Sequence, residues 1–208
     1  LTDVKGRIDI ENAQFRYGNR AVIKGLNLSI EPGEFIGLVG HSGSGKSTLV
    51  NLMCRFYDVS GGAIKIDGTD IRDIALASLR RQFGIVLQEP LLFSVSIADN
   101  IRYARPDATQ DAIVAAARAA EIHEFIESLP DGYATRIGTE GVDLSVGQKQ
   151  RITIARALVA DPAILIMDEA TSSLDTDSER AIQRALAVVL AGRTSFIVAH
   201  RLSTIRNA

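Results

Sequence analysis

Glu34 to Leu49 reads EFIGLVGHSGSGKSTL, and the fold turns on this stretch. It opens as a continuous apolar run, the pattern of a buried strand, and passes through glycines into Lys46-Ser47-Thr48-Leu49, the opening of a helix. On that helix Leu49, Leu52, Met53 and Phe56 recur at helical spacing and are expected to lie in the core. Between strand and helix, Gly40-His41-Ser42-Gly43-Ser44-Gly45-Lys46-Ser47 fits the pattern G-x-x-x-x-G-K-[ST]. Glycines let successive backbone N–H groups converge on a phosphate, and the helix N-terminus adds about half a positive charge. Lys46 can then reach the β and γ phosphates, the Ser47 hydroxyl is placed for Mg²⁺, and Thr48 continues the same first turn. The bland alternative is an ordinary glycine-rich turn, but a chance match in such a chain has odds on the order of one per cent.

Outward from this loop, Arg7 to Tyr17 alternates apolar and polar with a slip near Asn12, as a half-exposed strand or hairpin would. Buried strands are expected at Phe83 to Leu87, Ala163 to Met167 and Thr194 to Ala199, alternating with helical signals, which implies an α/β fold with a mostly parallel sheet. From Glu89 to about Arg156 the alternation lapses into Ala-rich helical periodicity, as in Asp111 to Ile122, punctuated by Pro90, Pro106 and Pro130. This reads as an inserted helical lobe. The 208 residues suffice for one domain with such a lobe, and the apolar fraction of 46% and charged fraction of 23% are those of a globular protein. A net charge of −2 with no basic stripe does not favour a nucleic-acid partner. Cys54, the only cysteine, reads as an inert buried thiol. No apolar run of about 18 residues and no leader-like N-terminus is present, so any membrane-spanning part belongs to another segment or chain. The opening at Leu1 suggests a piece of a longer polypeptide.

Ile164-Leu165-Ile166-Met167-Asp168-Glu169 sets two carboxylates at the C-terminal edge of a strand, where ligands bind in open α/β sheets. Asp168 suits Mg²⁺ and Glu169 suits a water as general base; alone, the pair would also pass for solvated strand-end carboxylates. Leu144-Ser145-Val146-Gly147-Gln148 precedes a helix with Ile152, Ala155 and Val159 on one face, and Ser145 with Gln148 has capping-box spacing. At these residues the chain closely resembles the ABC ATPases, whose signature loop reads Leu-Ser-Gly-Gly-Gln ahead of such a helix.

The resemblance runs from about Ile8 to Asn207 with its motifs in family order, and it implies a P-loop NTPase (RecA-like) core with an N-terminal antiparallel β portion and an inserted α-helical subdomain. The expected divisions are residues 1–88 and 157–208 for the ATP-binding core and 89–156 for the helical subdomain with the signature. It also implies ATP and Mg²⁺ as ligands. Tyr17 is similar to the aromatic that stacks on adenine, although a cross-strand partner for Phe15 is an alternative. Gln88 resembles the glutamine that senses Mg²⁺ and the γ-phosphate, Ser172-Ser173-Leu174-Asp175 the loop that communicates between sites, and His200 the histidine that hydrogen-bonds the γ-phosphate. Ser145, Gly147 and Gln148 would cover the γ-phosphate bound by a second ABC ATPase domain in a head-to-tail dimer. Phe93 to Ile101 and Gly138 to Gly141 look most like the exporter branch, whose transmembrane domain precedes the ATPase on the same chain at the cytoplasmic face of the membrane. Two departures stand out. Val146 replaces the family's Gly, and the charged turn before the signature has Arg136, Thr139 and Glu140. The family domain also usually continues beyond the histidine, so the chain looks shortened. Rival readings are an ABC ATPase outside transport, which would carry a coiled coil not found here, a nucleotide kinase, which would not need Glu169 or the signature, and a binding-only module, which Val146 keeps open.

Overall fold

The computed structural model describes residues 3–87, 89–138, 141–168 and 176–199. They form two compact units. The first, within residues 3–84, 163–168 and 192–199, holds two four-stranded sheets. One is antiparallel and runs β2-β1-β4-β5, from β1 (Ile8–Tyr17), β2 (Arg20–Ile30), β4 (Gly61–Ile66) and the short β5 (Thr69–Asp70). The other is built on β3 (Phe35–Val39), β7 (Ile164–Asp168) and β8 (Thr194–Ala199), paired in parallel in the order β3-β8-β7, with β6 (Phe83–Val86) next in the order. Helices α1 (Lys46–Met53) and α2 (Leu76–Arg80) complete this unit.

The expected slip in the first strand is a bulge. Pairing of β1 shifts between Ile10 and Ala13, Asn12 takes a left-handed φ of 45°, and its N–H is received by Asn27 Oδ1 at 2.8 Å. One core serves both sheets: Ile8, Ile10 and Ile66 from the antiparallel sheet meet Leu49, Leu52 and Met53 of α1 and Ile164, Ile166 and Phe196 of the parallel sheet. Cys54 is buried with them, and burial pushes its thiol up to about 11, which keeps it protonated and unreactive.

Three expectations about burial are corrected. Phe56 is not core: α1 stops at Met53, Arg55 turns left-handed at φ 52°, and Phe56 emerges into solvent beneath the Arg80 guanidinium, 4.7 Å from its ring. The run at β3 is only half-buried, with Phe35 and Val39 exposed at its ends, because β3 closes the strand order and has a sheet neighbour on one side only. The β6 run behaves similarly. Val86 is fully buried while Ile85 and Leu87 face out.

The second unit is helical, within residues 85–162 and 176–191. Its helices are α3 (Ile97–Arg102), α4 (Gln110–Ala119), α5 (His123–Glu127), α6 (Val146–Ala160) and α7 (Thr176–Leu190). Their starts are written locally: Ser96 and Thr109 receive the N–H groups of Asp99 and Ala112 at 3.0 and 3.2 Å. The longer α6 is central, packing on α3, α4 and α7 with Ile152, Ile154, Ala155 and Val159 buried. Asp161 in left-handed conformation, followed by Pro162, ends it. Among the described residues no helix is long and apolar enough to cross a membrane.

Candidate functional site

The apolar β3 delivers the chain to its C-terminal edge at Val39, and residues 40–45 then wrap into the start of α1. Gly43 and Gly45 take φ of 80° and 99°, in the region where a side chain strains the backbone. Gly45 is also crowded, since a Cβ there would lie 3.1 Å from Ile23 Cδ1 on β2. Within the loop Ser44 N–H donates to His41 O at 3.1 Å. Gly45 caps α1 without a side chain, so the first-turn N–H groups of Lys46, Ser47 and Thr48 have no cap acceptor and no intrahelical one. That is the donor array an anion needs. Lys46 Nζ is drawn over the loop, donating to the carbonyls of Gly40 at 2.6 Å and His41 at 3.1 Å. Thr48 is buried, so its contribution to a ligand comes from the backbone. A cleft of about 570 Å³ runs beside the loop, lined among others by Val22, Ile23, Val39, Gly45, Lys46 and Leu49.

Asp168 ends β7, half-buried, and the sheet register sets it on the same edge as the loop. Val39 pairs with Ala199 of β8, and Val198 pairs with Asp168. With strands about 4.8 Å apart, the carboxylate lies two strands from the point where the loop begins. A hydroxyl and one carboxylate suit Mg²⁺, which takes most of its oxygen ligands from phosphates and water; the described residues contain no cluster of three or more acidic or imidazole ligands.

Tyr17 stands at the end of β1, opposite Arg20 at the start of β2. Its ring meets Phe15 at 4.8 Å and Tyr57 at 5.5 Å, both nearly perpendicular, and stays 43% exposed. The cross-strand alternative is corrected: Phe15 lies on the same strand two residues earlier, and its cross-strand partner is Ile23. The sequence pattern does not single out Tyr57. Its signal was faint, an aromatic just past the end of a helix, with forty positions separating it from Tyr17.

In the helical unit the capping box is present in both directions. Gln148 N–H donates to Ser145 Oγ at 3.2 Å, and Ser145 N–H donates to Gln148 Oε1 at 2.9 Å. Gln148 thus spends its amide oxygen on the cap. Val146 has ordinary helical conformation, absent from the residues with positive φ, and its side chain is 57% exposed. Gly147 is buried, with its carbonyl accepting from Arg151 Nε at 3.3 Å. Arg136 donates to Ser94 O at 3.1 Å. Gln88, Glu169, the stretch Ser172 to Asp175, His200, Thr139 and Glu140 lie outside the described residues.

A glycine loop between a parallel strand and an uncapped helix start, with an acidic residue on the same sheet edge, defines a phosphate-loop nucleoside triphosphatase. Residues 23–172 match the family model described as ABC transporter. The chain is 52% identical over its whole length to an ATP-dependent lipid A-core flippase of Syntrophus aciditrophicus (strain SB), of which it spans 35%. It is 51% identical, over 98% of its length, to human ATP-binding cassette sub-family B member 6, of which it spans 24%. A bacterial Atm1-family ABC exporter solved with ATP bound superposes on the whole chain at a TM-score of 0.86 and 41% identity, the chain covering 38% of that protein. The protein belongs to the ABC transporter family, and this chain is its ATP-binding and ATP-hydrolysing part.

Proposed function

We propose that this domain is the motor of an exporter, in which two ATP-binding domains close on two ATP molecules and reopen after hydrolysis. The observation that carries this reading is the pairing of the uncapped α1 start with Asp168 on one sheet edge. The donor array of residues 40–48 grips the β and γ phosphates, and Tyr17 stacks on the adenine. Ser47, Asp168 and Gln88 would supply the protein's share of the oxygen ligands of Mg²⁺, which when bound would draw off charge from the phosphate oxygens. Glu169 accepts a proton from the attacking water as the bond from the γ-phosphorus to ADP breaks, and His200 hydrogen-bonds the γ-phosphate. Ser145 and Gly147, with Gln148 holding their loop, complete the site of the second domain. The relatives named above are longer than this chain; the remainder of such a polypeptide would hold the transmembrane domain, with this domain at the cytoplasmic face.

Glu169→Gln tests the chemistry. It removes the base while keeping size and polarity, so nucleotide affinity is expected to stay within about threefold while turnover falls by about 10² or more. Turnover near that of the unaltered chain would take Glu169 out of this role.

A further inference from the structure

Tyr57 has no place in the reading above, yet the structure takes trouble to hold it. The turn that carries it leaves α1 through Arg55 in left-handed conformation, and hydrogen bonds from two arginines hold the turn. Arg55 donates to Asp58 Oδ1 at 3.0 Å and to the carbonyls of Ile71 and Ile74 at 3.1 and 3.0 Å. Arg80 donates to the carbonyls of Cys54 at 3.3 Å and Arg55 at 3.1 Å while covering the Phe56 ring. Phe56 N–H closes the turn on Asn51 O at 2.8 Å. So much ordering for a solvent-facing turn calls for a reason, and the ring it presents supplies one. Tyr57 is 46% exposed and lies 5.5 Å from both Phe15, at an interplanar angle of 48°, and Tyr17, at 87°. Phe15 is buried at 6% exposure and floors the cluster.

We infer that Tyr57 is a positioning residue for the nucleotide base: it fixes the ring plane of Tyr17 so that the base meets a preset stacking surface. The inference rests on the proposed role of Tyr17 as the adenine platform. Neither Phe15 nor Tyr57 stacks parallel on Tyr17, and 43% of Tyr17 stays exposed, which leaves surface for a base to meet. The phosphate loop opens α1 and the Tyr57 turn follows its other end, about 12 Å away at 1.5 Å per residue. One rigid helix therefore carries the phosphate grip at its start and the brace for the base platform at its finish. The spacing between the two ends of a nucleotide is set by that helix, with little left for loops to adjust.

The experiment compares ATP with inorganic tripolyphosphate, which has the phosphates and no base, as ligands of the chain and of Tyr17→Leu, Tyr57→Leu, Tyr57→Phe and the double Leu variant. Base stacking on an aromatic is strong enough that its loss should weaken ATP about tenfold in Tyr17→Leu. Tyr57→Leu is expected to weaken ATP about three- to tenfold, to leave tripolyphosphate unchanged, and to add little once Tyr17 is already Leu. Tyr57→Phe, which keeps the ring, should bind ATP like the unaltered chain. A parallel fall in tripolyphosphate affinity, full additivity with Tyr17→Leu, or no effect of Tyr57→Leu while Tyr17→Leu is weak would each overturn the inference. If Tyr17→Leu itself left ATP affinity unchanged, the platform reading would fall first and this inference with it.

Discussion

Lys46 sits at the balance point of the site, its ammonium shared between the carbonyls of Gly40 and His41 before any phosphate arrives. Charge-assisted bonds from such a group to phosphate oxygens are worth about 1.5–3 kcal/mol each. Lys46→Ala is therefore expected to weaken ATP by about 2 kcal/mol, roughly thirty-fold, in a fluorescent-nucleotide titration. Unchanged affinity would mean that the phosphates lie elsewhere. Val146 gives the opposite lesson. Its backbone is helical and its side chain points to solvent, so a glycine at this position is not demanded by conformation, and the departure from the family pattern strains nothing within the chain. The loop and the cap were legible because both depend on short-range rules, positive φ at glycine and a Ser with Gln three residues on. Phe56 and Tyr57 were not, because α1 is stopped by a left-handed Arg55 that no glycine or proline announces, and their neighbours Arg80 and Tyr17 are remote in sequence.

At the scale of elements, the reciprocal cap of α6 and the α7 tether can be tested separately. Ser145→Ala leaves the Gln148 N–H without its acceptor, at a cost of about 1 kcal/mol, which should lower the melting temperature by about 2–4 °C. A melting temperature unchanged within a degree would show that water replaces the cap at no cost. Arg184 of α7 forks onto the Glu121 carboxylate, with bonds of 2.5 and 2.6 Å, just past the end of α4. Its guanidinium is the largest cause holding the Glu121 carboxyl below its usual 4.5, with backing from Arg151. A carboxyl depressed on folding stabilises fully above its unfolded value and loses that contribution as pH falls through the folded one. The melting-temperature gap between the unaltered chain and Arg184→Met should thus be constant from pH 7 down to about 4.5 and narrow below it. A gap that persisted at pH 2 would assign it to packing of the Arg184 stem. Strand positions were legible from apolar runs, but the half-exposure of β3 was not, since composition says nothing of which strand closes the order. That Thr176–Leu190 packs on α6 is likewise a tertiary fact outside any periodicity.

For the whole molecule, the donors proposed for the triphosphate come from two units of the chain, and the proposed remedy is a second such domain. The phosphate loop and Asp168 belong to the first unit, whereas Ser145 and Gly147 belong to the helical one. If each site borrows its second set of donors from a partner, catalysis requires a collision between chains, and a donor supplied in trans to a transferring phosphoryl group is worth about 10³ to 10⁵ in rate. Specific ATPase activity of the isolated chain should then rise in proportion to its concentration while the dimer is scarce, and level off once sedimentation finds the ATP-loaded dimer dominant. Glu169→Gln should carry the same dimer without turnover, separating assembly from chemistry. The loop Ser145-Val146-Gly147 should register in this assay far more strongly than in ATP binding by the monomer, because in the proposed dimer it meets the phosphate held by the other domain. A specific activity flat over a hundredfold range of concentration, with no ATP-dependent dimer in sedimentation, would place the complete site within one chain and remove the partner from the mechanism.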